Sequence, residues 1–455
     1  MPSLSRELGP GQAAAVVVGT VIGSGVFLVP AEMMQAVGSA RLVYLAWIVG
    51  GLLSLFGAMT YAELGAMRPQ AGGEYVYVRD AYGPLPAFLY AWTWFVIAKP
   101  GSIATLTLGI VRILGTFSAF AFFSRPLIAS PFPVTYGQGF AILVTIAISA
   151  LNYLGVKRAG EFQFIFTIVK VAIILGIVVI GFSYNNGSFA HFGESYSLAR
   201  GGMAGFMAAL VAALWAYDGW NDLNMVSEEV RNPSRDIPIA LIAGVAVVGV
   251  LYMLVNAAVQ YVLPAAAIAA SERPGSDAIR AVMGPLGAGI VSAGMALSMV
   301  VALNGTIMSG ARIPFAVARD GYFFSALGRV HSRFHTPAIA TVVQCILAIL
   351  LLLLGGSFRQ VFTITIFAEW LFYMIAASTI FTFRRREAEA PRPYRVWGYP
   401  VVPILFVMAS AILLYYTFTD NVVNSAVGIA VILAGVPFFY VFARKRSAAN
   451  LASRA

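Results

Sequence analysis

Apolar residues in this chain fall into runs of roughly 20, separated by short polar or proline-bearing breaks. A helical run of that length crosses the ~30 Å hydrocarbon layer of a bilayer at 1.5 Å per residue. The pattern predicts twelve spans, at about 12–37, 42–66, 84–115, 137–154, 159–182, 202–228, 237–263, 286–311, 338–355, 360–383, 400–417 and 422–443. The breaks include Arg68-Pro69-Gln70, Arg231-Asn232-Pro233-Ser234, Ser271 through Gly275, and Pro391-Arg392-Pro393. An outer-membrane barrel would instead show alternating segments of about 10 residues. The expected fold class is therefore an all-α polytopic membrane protein with twelve transmembrane helices. The start, Met1 to Leu8, is polar and runs straight into a full-length span, so no cleavable leader is expected.

Composition strengthens this picture. Only 11% of the 455 residues are charged, less than half the ~25% usual in soluble domains, and one soluble core could not hide so much apolar surface. The net charge of +10 is explained by placement. With the N-terminus inside, inner segments hold most of the lysines and arginines, among them Arg6, Arg68, Arg79, Lys157, Arg158, Arg231, Arg235, Arg312, Arg319, Arg384 to Arg386 and Arg444 to Arg446. Outer segments hold only Arg41, Arg125, Arg200, Arg273, Arg280 and Arg359. That bias puts both termini in the cytoplasm, in the inner membrane, with the charge facing anionic lipid rather than nucleic acid. Cys345 is the single cysteine and cannot form an intramolecular disulfide. His191, His331 and His335 all lie in loops, so no metal centre is expected, and no Gly-Lys dipeptide exists to build a phosphate loop. An enzyme is not expected, nor any cofactor. A channel or an amino acid sensor remains an alternative of another class.

Two spans carry interruptions at mid-membrane. Span 1 contains Gly19-Thr20-Val21-Ile22-Gly23-Ser24-Gly25-Val26-Phe27, and span 6 contains Trp215-Ala216-Tyr217-Asp218-Gly219-Trp220. Glycines weaken a helix, and an aspartate at the bilayer centre is costly. Gly19 and Gly23 also fit close helix packing through small residues, and Asp218 also fits a carboxylate paired with a cation on another helix. Together, however, the breaks open two five-helix halves of opposite orientation. This predicts an inverted repeat, 9–183 and 198–383, with 384–455 holding two peripheral helices and a tail, and a binding site at the midplane. A break in span 1 frees N–H groups around Ser24, Gly25 and Val26, which suit a carboxylate, and carbonyls around Val21 and Ile22, which suit an ammonium. Trp215 and Ala216 end the first half of span 6 in the same way. Such a site fits a zwitterionic α-amino acid, with Gly23 and Gly25 allowing it to reach the backbone.

These residues resemble a known family. Gly23 to Phe27 followed by Pro30 is similar to the first-helix motif of the amino acid–polyamine–organocation superfamily. Gly219 to Asn224, Glu228 to Pro233 and Ile237-Pro238 resemble its L-amino-acid transporter branch, as do Asn304-Gly305, Ala318 to Gly321, His335 to Pro337 and Arg384 to Val396. The resemblance implies a leucine-transporter-like fold with broken helices 1 and 6. It implies transport of L-amino acids by alternating access, as sodium-independent exchange of neutral amino acids. A cationic amino acid or polyamine carrier, or a proton-coupled symporter, is the alternative. The substrate carboxylate would meet Ser24 and Gly25, and its amino group the positions of Val21, Trp215 and Asp218, with Trp215 as a gate; Gly219 is a further substrate-binding candidate. Eukaryotic relatives carry a cysteine before span 4 that bonds a glycoprotein partner; none stands here, so no disulfide-linked subunit is expected.

Further polar residues lie within spans. Lys170 is midway along span 5, roughly 16 Å from either end and beyond easy snorkelling. The resemblance implies that its ammonium replaces a sodium ion in holding spans 1, 5 and 8, which would make it the coupling residue. Glu369 and Trp370 in span 10, Ser102 after Lys99-Pro100-Gly101 in span 3, and Asn304 in span 8 are candidate pocket residues. Asn304 could equally be an interhelical hydrogen-bonding group, and Glu369 could pair with Lys99. An unpaired, ionised Glu369 would argue for a cationic side chain on the substrate. Glu228, Glu229 and Arg231 could form an inner charge gate or simply end span 6.

Overall fold

A backbone in lipid must satisfy its own polar groups, so the chain folds as helices wherever it is continuously apolar. The structure is a computed structural model and describes residues 3–128, 133–354 and 358–452. Among these, nine helical stretches are long and apolar enough to cross a membrane, and Gly202–Ala216 and Ala338–Leu354 are apolar but shorter. The first stretch is split into α1 (Pro10–Val21) and α2 (Gly25–Val37). Next come α3 (Ala40–Met67), the short α4 (Glu74–Tyr82), α5 (Pro84–Thr93) and α6 (Lys99–Leu114). A π turn, Trp94–Ala98, joins α5 to α6. Pro100 has no N–H to continue the ladder, and the N–H of Lys99 reaches back to Trp94 O. A short antiparallel strand pair, β1 (Pro126–Ile128) with β2 (Val134–Thr135), precedes α7 (Tyr136–Tyr153) and α8 (Val156–Phe182).

A second interrupted stretch lies further along the chain. After α9 (Gly202–Ala216) the chain turns through residues 217–221 into α10 (Asp222–Met225). There follow α11 (Pro233–Val262), α12 (Ala265–Ala270), α13 (Pro274–Gly310), α14 (Arg312–Arg319), α15 (Ala338–Leu354), α16 (Phe358–Arg386), α17 (Val401–Asp420) and α18 (Val422–Ala452). Hydropathy alone starts span 8 at 286. The helix begins instead at Pro274 and kinks at Gly284, where φ is 68°. A polar first turn is not penalised where the helix starts outside the apolar layer.

Packing sorts the residues by depth. Large apolar side chains such as Ile48, Leu52, Leu143, Ile165, Ile168, Val179, Val250 and Leu350 are exposed on the outside of the bundle, where lipid tails would cover them. Polar side chains are turned inward: Glu63, Lys170, Asp222, Asn304 and Arg312 are each at most 1% exposed. Intramembrane polar groups behave this way because only other protein groups can satisfy them.

Candidate functional site

The two broken spans meet. A Cβ on Gly25 would lie 3.1 Å from the Cα of Ala216, so the start of α2 can touch the end of α9 only because residue 25 is glycine. Gly219 has φ +102°, a conformation an L side chain rarely adopts, and it lets the chain leave α9 for α10. A Cβ on Gly23 would meet nothing within 4 Å. Open space therefore begins at the break of span 1. Gly23, Ser102, Trp215, Asp218 and Glu369 are all partly exposed, although they lie near the middle of their spans.

The backbone groups freed by the break divide into donors and acceptors. The N–H groups of Ser24, Gly25 and Val26 donate to no group among the described residues. They form the positive end of α2. The carbonyls at the end of α1 are already engaged. Val21 O accepts from the N–H of Gly23 at 2.8 Å and from the Tyr252 hydroxyl at 3.0 Å. Tyr252, on α11, also donates to Ala216 O at 2.8 Å and so ties the two breaks together. Ile22 O accepts from Lys170 Nζ at 2.7 Å and from Ser298 Oγ at 2.8 Å.

Lys170 sits on α8 and is 1% exposed. Its ammonium donates to Gly19 O at 2.7 Å, Ile22 O at 2.7 Å and Ser298 O at 3.1 Å. An ammonium has three donors, and three carbonyls from α1, its C-terminal cap and α13 take them. Gly19 and Ile22 are among the last carbonyls of a helix, which lack intrahelical partners and favour a cation.

A second polar group surrounds Asp218. Tyr373 on α16 donates to Asp218 Oδ1 at 2.9 Å and to Asn221 Oδ1 at 3.2 Å. Asn221 donates to Glu74 of α4, and Tyr90 of α5 donates to the other oxygen of that carboxylate at 3.2 Å. Burial pushes the Glu74 carboxyl up to about 7, and the hydrogen bond from Asn221 pulls it back in part. Lys99 does not pair with Glu369. It donates to Asp222 Oδ1 instead. Asp222 stands one turn beyond Asp218, at the start of α10, facing the π turn that positions Lys99. Glu369 has no hydrogen bond or ion pair among the described residues; the charges acting on it are Asp218, Lys99 and Asp222.

Not every candidate joins these groups. Asn304 is fully buried and spent on other helices, accepting from Asn152 at 2.9 Å and donating to Ala159 O at 3.1 Å and Gln163 Oε1 at 2.7 Å. It is an interhelical hydrogen-bonding group and does not reach the open space. Trp370 is buried edge-on against Tyr373, with ring centroids 5.8 Å apart. Trp215 approaches the break of span 1, its ring 3.6 Å from a Cβ at Gly25. Tyr252, Ser298, Tyr373, Asp222 and Glu74 escape a sequence-only search. A tyrosine or serine is an ordinary constituent of an apolar span, Glu74 reads as part of a loop, and Asp222 lies within span 6 with nothing along the chain to mark Lys99 as its partner.

Glu228, Glu229 and Arg231 face other elements. Arg312 holds Glu229 through two bonds of 2.7 and 2.8 Å, both side chains being fully buried. Arg319 holds Glu228 at 2.9 Å, and Arg231 lies 3.7 Å from Glu7. Leu8 pairs with the same segment, from its N–H to Glu229 O and from its carbonyl to the N–H of Arg231, each at 2.9 Å. The ends of spans 1, 6 and 8 are thus tied at one face.

Broken helices around a polar midplane define a membrane transporter. The chain matches the amino acid permease family over residues 8–443 and belongs to it. It is 31% identical to the serine/threonine exchanger SteT of Bacillus subtilis over 98% of each chain. It is also 31% identical to the b(0,+)-type amino acid transporter 1 of Homo sapiens, over 97% of this chain and 88% of that one. The human cystine/glutamate transporter is 29% identical, over 97% and 89%. These relatives agree with the superfamily and branch that the motifs of spans 1, 6 and 8 resemble.

Proposed function

We propose that this permease exchanges L-amino acids across the inner membrane by alternating access, without sodium. The substrate carboxylate binds the N–H groups of Ser24, Gly25 and Val26. Its ammonium faces the end of α9, at the carbonyls of Trp215 and Ala216 and the carboxylate of Asp218. The observation that carries this reading is the row of three free N–H donors beside open space at Gly23. Twelve spans with both termini cytoplasmic, and an inverted repeat over 9–183 and 198–383, complete the reading. The two breaks at the starts of these halves support it.

Sodium independence rests on Lys170. Its ammonium already occupies the carbonyls of Gly19, Ile22 and Ser298. A metal ion bound there would have to displace a positive charge. The tied face of Glu228, Glu229, Arg312 and Arg319 would open in one half of the cycle and close in the other. Purified protein in liposomes should exchange radiolabelled L-amino acids for unlabelled ones inside. Replacing Na⁺ by choline should leave the rate nearly unchanged. Equal handling of D and L forms, or no exchange of any amino acid, would defeat the proposal, and a strict Na⁺ requirement would defeat its sodium-free part.

A further inference from the structure

Four carboxylates cluster around the break of span 6, those of Glu74, Asp218, Asp222 and Glu369, and Lys99 is the cation that acts on Glu74, Asp218 and Glu369. The side-chain contacts show how that single charge is spent. Lys99 is committed to Asp222. Lys170 is committed to backbone carbonyls and has no donor left. Asp218 has the Tyr373 hydroxyl, and Glu74 has Asn221 and Tyr90. Two acceptors are left over. Glu369 has no partner among the described residues, and Asp222 Oδ2 is fully buried on a residue 1% exposed and has none either.

A zwitterionic amino acid cannot complete this arrangement. Its carboxylate and ammonium cancel, and both are used at the backbone breaks and Asp218. Glu369 would still lack a counter-ion at mid-membrane, where an unpaired carboxylate is strongly unfavourable and the group is left to take up a proton instead. The open space at Gly23 and the partial exposure of Trp215 and Glu369 leave room for a second cation on the same ligand.

We propose that Glu369 is the counter-ion for a positively charged substrate side chain, so that the permease takes cationic amino acids in preference to neutral ones. A guanidinium or ammonium there would form a charge-assisted hydrogen bond with the Glu369 carboxylate. This specificity rests on the amino acid exchange proposed above, and it moves the expected substrate from the neutral to the cationic class. The pairing of Lys99 with Asp222 decides which carboxylate is left over. Had Lys99 taken Glu369, the unpaired one would have been the buried Asp222 rather than the partly exposed Glu369.

The test compares arginine with citrulline, which has nearly the same shape and no charge, as competitors for exchange in proteoliposomes. Arginine should be preferred by about 10- to 100-fold, the range of a charge-assisted hydrogen bond. Glu369→Gln should bring the two to near equality, and Glu369→Asp should keep the preference with weaker binding. Ligand-induced thermal shifts of the solubilised protein provide the same comparison without transport, and Glu369→Asp carries the test if Glu369→Gln does not fold. Stereoselective exchange in which citrulline or leucine outcompetes arginine would overturn the inference and leave the exchange proposal standing. So would an arginine preference that survives Glu369→Gln, or a Glu369→Gln variant that loses only the pH dependence of neutral exchange, since Glu369 would then carry a proton. No exchange of any amino acid would remove both proposals.

Discussion

Lys170 and Lys99 are both buried in the bundle, 1% and 8% exposed, yet their charges are met in opposite ways. Lys170 is surrounded by neutral dipoles, the carbonyls of Gly19, Ile22 and Ser298, and has no carboxylate partner. Lys99 has a carboxylate, Asp222, and stands among three more. Carbonyls at a helix end favour a cation, so Lys170 holds α1, α8 and α13 together through neutral dipoles. A carboxylate cancels the charge outright, so Lys99 adds nothing to balance Asp218 and Glu369. One lysine acts as a strut beneath the break of span 1. The other sets the net charge beside the break of span 6.

The largest expected effect concerns the ion pair. Lys99→Ala leaves Asp222 buried and unpaired, and breaking such a pair by removing one partner costs about 3–5 kcal/mol. Melting of the solubilised protein should fall sharply, and the double variant Lys99→Ala/Asp222→Asn should recover much of the loss. If Lys99→Ala melts like the parent, the pair is not the organising contact of that region.

Lys170→Ala should come next. It strands carbonyls at about 1–3 kcal/mol, enough to shift a carrier between its two states by roughly 5- to 150-fold. We expect normal delivery to the membrane with slow exchange and altered apparent affinity. Lys170→Arg should also be impaired, because a planar fork does not suit a point-charge site. Unchanged kinetics in Lys170→Ala at matched amounts would reduce Lys170 to a packing residue and collapse the contrast.

Tyr252→Phe removes the hydroxyl that bonds both Val21 O and Ala216 O. A loss of about 1–2 kcal/mol is expected for one or two hydrogen bonds, read as weaker amino acid binding in competition assays with little change in melting. Equal loss for all residues lining the two breaks would argue against a specific tie.

The smallest effect is a pH dependence at Glu74. Its carboxyl is pushed up to about 7 by burial, from an ordinary value of 4.5. The folded state therefore holds the proton more tightly than the unfolded one, and this contribution to stability is lost as pH rises from about 4.5 through about 7. Melting profiles of Glu74→Gln should be flatter over that window than those of the parent. An undiminished slope would assign the titration to another group.

Much of the fold is legible along the chain, and the site only partly. The break at Gly23 to Gly25 is written locally, because glycines weaken a helix wherever they stand. The cost of Lys170 and Glu369 at mid-span is equally local, so both stand out as residues with a purpose. Asn304 is the counterexample: a polar residue in span 8 marks either a pocket or a helix contact, and only Asn152, Ala159 and Gln163 around it decide for the contact. Tyr252 and Ser298 carry no local signal, since a hydroxyl costs little in a span that can bond it elsewhere.

The sequence by itself determined the membrane class, the long apolar helices, the two interruptions and the mid-span charges Lys99, Lys170, Asp218 and Glu369. Each of these follows from the cost of placing a given residue in lipid, which depends on the residue and its neighbours along the chain. Only the tertiary structure decided which charges cancel. Lys99 and Asp222 are 123 residues apart, and Lys170 and Gly19 are 151 apart. Their pairing depends on how α1, α6, α8 and α10 cross, and electrostatic attraction acts across space with no regard to position in the chain.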